Sequence, residues 1–213
     1  RGSAAFFTAG GLPDLRSLLS VYKEPLTLVA RRESGIAKLA DLRGKRVSMG
    51  PLGSGARALM EAVMRAQGWR TIDFKSVLEL DPVAQVDALC AGTIDVAAFA
   101  SGHPNGLIGS AAQGCDAVVV PVTGLNIDRL LADNPFYTRA SIPGGLYAGN
   151  AAPVESFGVA VTLVARSRLA PELVERLVGA VAGELETFQS LHPVLAGLTP
   201  EAMVHDALTA PPH

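Results

Sequence analysis

This chain of 213 residues lacks long hydrophobic runs, a charge excess of one sign, metal-type cysteine pairs and aromatic residues interleaved with arginines. Its longest apolar stretches, such as residues 117–120 and 159–165 with its Thr162, fall far short of the roughly 20 residues a membrane helix needs. Eighteen Lys and Arg stand against 20 Asp and Glu, a formal net charge of −2 with no basic stripe, and the aromatics are scattered. Nucleic acid is therefore not an expected partner. Cys90 and Cys115 form no Cys-x-x-Cys and have no histidine at ligand spacing, so no metal site is expected and two buried thiols is the default reading. The N-terminus has no charged, apolar and cleavage-site pattern of a signal peptide; a mature chain would have lost one, which leaves the compartment open. What is plentiful is hydrophobic residues, 49%, enough for one large core or two small ones.

Short apolar runs alternate with helical patterns. Strands are expected near residues 25–30, 47–49, 74–80, 93–100 and 116–122, and helices near 56–67, 82–91, 105–113 and 127–133, with a short helix or turn at 36–42. That alternation argues for an α/β fold with a parallel sheet flanked by helices. Residues 137–154 are rich in glycine and proline and read as a crossover, followed by a strand at 157–165 and one long helix at 171–191. Composition shifts near 34 and 153 bracket a middle lobe, 34–153. Residues 1–33 and 154–213 would form lobe one, joined to it by two hinge strands.

In such sheets ligands bind where strands end and helices begin. Gly53, Ser54, Gly55 and Ala56 follow a strand and open a helix. Glycines let the backbone approach a ligand, and the helix start offers free N–H groups and partial positive charge to a carboxylate or phosphate. A turn that merely caps the helix is the alternative. The spacing fits neither a Walker A loop nor a dinucleotide fingerprint. A second strand-to-helix loop carries Ser101, Gly102 and His103 as further ligand-binding candidates, a surface or capping residue being the favoured alternative for the histidine. Asp81 before Pro82 reads as a structural cap, and His192 and His205 read as solvated. The two cysteines should lie near one another, since each follows a helix running from the binding edge to the opposite edge; whether they are bonded stays open.

The chain resembles the TAXI solute receptors of TRAP transporters, which share the type II periplasmic binding protein fold. The resemblance lies in Leu-Leu-Ser-Val-Tyr-Lys-Glu-Pro-Leu-Thr-Leu-Val-Ala-Arg (18–31), Ser-Gly-Ile-Ala-Lys-Leu-Ala-Asp-Leu-Arg-Gly-Lys-Arg-Val-Ser-Met-Gly (34–50), Gly-Ser-Gly (53–55), Gly-Thr-Ile-Asp-Val-Ala-Ala-Phe (92–99) and Ser-Ile-Pro-Gly-Gly-Leu-Tyr (141–147). It implies a periplasmic receptor that passes a small carboxylate, glutamate-like or a dicarboxylate, to TRAP membrane subunits without catalysis or cofactor. It also implies that Tyr22 and Tyr147 face the cleft, packing tyrosines being the alternative. Family members usually have Thr where Ala56 stands. They also carry a further stretch before the segment matching Arg1, so lobe one is expected to be incomplete, with self-association open. Two other readings remain: a ligand-sensing module of a larger receptor, and an enzyme on the same fold, for which Ser54 has no visible base or Gly-x-Ser-x-Gly elbow.

Overall fold

A computed structural model describes residues 13–205 and 210–213. In chain order the elements are β1 (Leu15–Arg31), β2 (Arg46–Ser48), α1 (Gly55–Gln67), β3 (Ser76–Leu78), α2 (Pro82–Cys90), β4 (Val96–Ala100), α3 (Gly106–Gly114), β5 (Ala117–Val120), α4 (Leu125–Asp133), β6 (Tyr137–Ile142), β7 (Val154–Arg166), α5 (Pro171–Gly183), α6 (Leu185–Ser190) and α7 (Pro200–His205). The fold is α/β, with the type II periplasmic binding protein architecture. The strand order is β3-β2-β4-β1-β7-β6, with β5 also paired to β1. The chain divides into two compact units: residues 1–24, 135–138 and 159–213, and residues 25–134 and 139–158.

In the second unit β2 runs parallel to β3 and β4, with Ser48 opposite both Leu78 and Ala97. The latter half of β1 is antiparallel to β4, Leu26 facing Ala100, and to β5, Leu28 facing Val120. The sheet is thus mixed, with a parallel core of three strands. Helix starts follow local chemistry: Asp81 caps α2 by accepting from the Val83 and Ala84 amides at 3.0 Å each, with Pro82 at the first helical position. Gly68, at φ +67°, ends α1 with its N–H on the Arg65 and Met64 carbonyls. Arg46 binds both Asp95 oxygens, pinning the start of β2 to the turn before β4. The core gathers Val29, Leu89, Ile94, Ala97, Ile108 and Ile142 between sheet and helices.

Cys90 closes α2 and Cys115 caps α3 at its C-terminus. They are joined by a disulfide with Cα atoms 4.9 Å apart, replacing the expectation of two thiols. Two further expectations are corrected. The glycine-rich crossover begins as a strand, β6, because Tyr137–Ile142 supplies β-formers before the first proline at 143. The single helix at 171–191 breaks at Glu184, whose φ of −118° and ψ of 36° lie outside helical geometry after the helix-weakening Gly183.

In the first unit, Leu19, Leu198 and Met203 form a small core with Val178, Val181 and Phe188 packed on it. The Ser17 N–H donates to the Pro211 carbonyl at 2.8 Å, and the His213 N–H donates to the Ser17 carbonyl at 3.1 Å. No residue of α5 is fully buried, and Leu173 and Leu177 stay 45% and 48% exposed.

Candidate functional site

Because β2 and β4 are parallel neighbours, the chain leaves both at one edge of the second unit's sheet. Two strand-to-helix loops therefore stand side by side there. A Cβ built on Gly55, at the start of α1, would lie 3.6 Å from the Ala100 Cβ at the end of β4. The first loop turns through Gly50, at φ +84°, and Gly53, at φ +79°. Ser54 caps α1, its Oγ accepting from the Arg57 N–H at 3.2 Å, while its own N–H donates to the Pro51 carbonyl at 3.1 Å. Of the four amides from 54 to 57, two are thus used within the turn. The Gly55 and Ala56 amides have no backbone acceptor among the described residues, which leaves two donors of a helix start for a ligand. Arg57 is turned to carboxylates, bonding Glu61 and Glu79 at 2.7 Å each, so its charge is already countered.

The second loop, 101–105, ends on Asn105, which caps α3 by accepting from the Leu107 and Ile108 amides at 3.0 and 3.1 Å. The Ser101 Oγ is shut off from solvent and has no hydrogen-bond partner among the described residues. His103 is 8% exposed, not on the surface. Its Nε2 lies 3.0 Å from Thr27 Oγ1 and its Nδ1 lies 2.7 Å from the Tyr147 hydroxyl, which also accepts from the Asn105 N–H at 2.7 Å. Burial pushes the His103 pKa down to about 4, because the charged imidazolium is the form that loses hydration. Burial also raises the Tyr147 hydroxyl, against the lowering effect of the Asn105 amide. Beneath the loops, buried Gln85 ties β2 to β4 through Ser48 Oγ at 3.0 Å and the Ala98 carbonyl at 3.2 Å.

The second unit therefore brings Gly53, Ser54, Gly55, Ala56, Ser101 and Gly102 to one edge, with His103 and Tyr147 as buried supports bonded to each other. Tyr22 lies on β1 within the first unit, its hydroxyl raised by burial and then by the charge of Glu24. His192 is half-buried, its Nδ1 accepting from the Val194 amide at 3.1 Å, rather than solvated; the His205 side chain lies outside the described residues. Sequence reasoning missed Gly50 and Thr27, neither of which stands in a local pattern that marks it. Among the described residues no group of three His, Cys, Asp or Glu could hold a metal, and no helix is long and apolar enough to cross a membrane. A separate groove of about 520 Å³ is lined by Val119, Pro121, Thr123 and the 149–155 segment.

A model of the NMT1-like family matches residues 1–213. Among solved structures, XAC2383 from Xanthomonas citri bound to ATP is similar at a TM-score of 0.54 and 15% identity, over 94% of this chain and 70% of that one. The glutathione-import structure of GshT from Streptococcus mutans, described with the cystine ABC importer TcyBC, gives 0.50 and 13% over 84% of this chain and 61% of that one. The periplasmic aliphatic sulphonate binding protein SsuA from Escherichia coli gives 0.48 and 19%, covering 89% of this chain and 52% of its own. The present chain thus spans between about half and seven-tenths of these proteins' lengths. The matches overturn the resemblance to TAXI receptors and with it the TRAP membrane subunits as partners: the matching family is NMT1-like, and the transport system named beside GshT is of the ABC type.

Proposed function

The chain belongs to the NMT1-like family, and from that premise we propose that it is part of an extracytoplasmic solute receptor. It binds a small organic anion at the carboxyl edge of the second unit's sheet and delivers it to a membrane transporter without transforming it. The observation that carries this reading is the pair of adjoining loops, where among the described residues the Gly55 and Ala56 amides have no backbone acceptor and the buried Ser101 hydroxyl has no partner. Neutral donors at a helix start favour an anion, and among the described residues neither Ser54 nor Ser101 has a hydrogen bond to a group that could act as its base. His103 has both ring nitrogens bonded, to Thr27 and Tyr147. A carboxylate of the glutamate or dicarboxylate type fits two free amides at a helix start. Exposed Leu52, Val83 and Leu125, each just after a strand of the same edge, suit a ligand that also has an apolar part. The ATP-bound and glutathione-import relatives handle anions, which supports the class and not the compound. The disulfide supports an oxidising compartment outside the cytoplasm.

Calorimetric titration with glutamate, succinate, an alkanesulfonate and phosphate tests the reading. One of them should bind, and Gly55→Val should weaken it about tenfold or more with little change in melting temperature, because its Cβ meets the neighbouring strand only at ordinary contact distance while its methyls cover the free amides. Equal affinity of both proteins rejects the site.

A further inference from the structure

The 101–105 loop is held by residues far away in sequence. Tyr147 stands 44 positions beyond His103, buried among Ile108, Ile142 and Val154 at the unit's core. Its hydroxyl oxygen already accepts the Asn105 N–H. If the hydroxyl proton is given to Nδ1, the ring proton sits on Nε2 and is donated to Thr27 Oγ1, whose own proton turns to the Pro25 carbonyl at 3.4 Å. Every polar hydrogen that Asn105, Tyr147, His103 and Thr27 bring to this relay then has an acceptor. In the opposite tautomer Tyr147 Oη would receive two N–H groups and its own proton would be stranded in apolar surroundings, which is costly. The geometry therefore selects a neutral His103 with the proton on Nε2.

We propose that Thr27, His103 and Tyr147 form one positioning device that fixes the 101–105 loop, and with it the Ser101 hydroxyl and the first turn of α3, in its anion-binding arrangement only while His103 is neutral. A second ring proton would point Nδ1–H at Tyr147 Oη while the tyrosine's own proton lost its acceptor, so two donors would face each other and the loop would release. Neither His103 nor Tyr147 is then a ligand contact. Among the described residues the titratable group bonded to His103 is Tyr147; β1 presents the uncharged Thr27 and the cap of α3 the uncharged Asn105, and burial is the cause of the lowered imidazole pKa. The consequence for binding rests on the anion-site reading, whereas the release of the loop does not.

The test follows amide hydrogen exchange of Asn105 by NMR between pH 7 and 3.5, alongside the His103 ring titration, with Ala97 in β4 as internal control and inorganic sulfate as the calorimetric probe. Asn105 protection should fall about tenfold as His103 titrates while Ala97 stays protected. His103→Asn, which keeps an acceptor for Tyr147 and gains no proton, should abolish that dependence. Tyr147→Phe should lower Asn105 protection already at pH 7 and weaken sulfate about tenfold. Protection that stays flat through the His103 titration, or an unchanged pH dependence in His103→Asn, overturns the device. Sulfate bound equally by wild type and Tyr147→Phe overturns its service to the site. Failure of wild type to bind sulfate counts against the anion reading alone, with the exchange measurement still deciding the device.

Discussion

At Gly50 a Cβ would stand 2.9 Å from Ser54 Oγ and 3.3 Å from the Ala56 Cβ, on a backbone whose φ of +84° already disfavours a side chain. Gly50→Ala should therefore cost about 1–3 kcal/mol in urea unfolding and displace the cap of α1, whereas Gly55→Ala should stay within about 1 kcal/mol of wild type. The glycines of 53–55 catch the eye as a local pattern, but the need at position 50 arises where the turn folds back on its own cap, which no local pattern records. His103 makes the same point. Nothing beside it in sequence announces burial, because the group that covers it is 44 residues away. Its lowered pKa fixes a pH dependence. Above 6.5, the ordinary value, neither state is protonated and the contribution is complete. As pH falls from 6.5 through about 4, the unfolded chain takes up a proton that the folded one refuses, and up to about 3 kcal/mol of stability is lost. Glu24, raised by burial, pulls the other way as its carboxyl becomes neutral on acidification. Asp95, held below the usual carboxylate range chiefly by Arg46, acts only at lower pH. Unfolding free energies of wild type and His103→Asn, compared between pH 4.5 and 6.5, isolate the histidine; parallel curves would contradict its buried, neutral state.

Among the elements, helix starts were the most legible. Ser54 and Asp81 each put a short polar side chain where an orphan amide needs an acceptor, and the structure begins α1 and α2 directly after them, whereas Asn105, read as the first residue of a helix, caps α3 instead. Strands were less so. β6 alternates buried and open positions, but the glycines and prolines that follow at 143–153 dominated the composition of the segment and hid it. The length of β1, 17 residues, depends on different partners along its course, which a hydropathy pattern does not encode. The nearness of the cysteines was readable from helix direction; their bond was not, because bonding depends on Cα separation. Since that bond closes a loop with a sequence separation of 25, reducing it should lower urea-unfolding stability by about 3 kcal/mol, with Cys90→Ala/Cys115→Ala matching the reduced protein. No change on reduction would mean that α2 and α3 are held by packing alone.

For the whole molecule, the sequence made the fold readable and the transport system misleading, for one physical reason. In the 34–50 stretch Leu39, Leu42 and Val47 are buried and Gly44 sits at φ +73°, so these residues serve the approach to β2. Such a stretch marks an architecture, and none of its packing residues bears on which membrane partner a receptor meets. The division of the chain into two units, by contrast, has a consequence in time. The second unit draws on residues 25–134 and 139–158, while Ser17 in the first bonds Ala210, 193 residues later, along with Pro211 and His213. At about 5–20 residues per second, a ribosome needs roughly 10–40 s to travel from one to the other. For the last part of that interval the nascent chain carries one unit able to close and an early strand whose bonds from Ser17 to residues 210–213 have not been made, with Leu19 not yet covered by Leu198 and Met203 and open to any holding factor that meets it first.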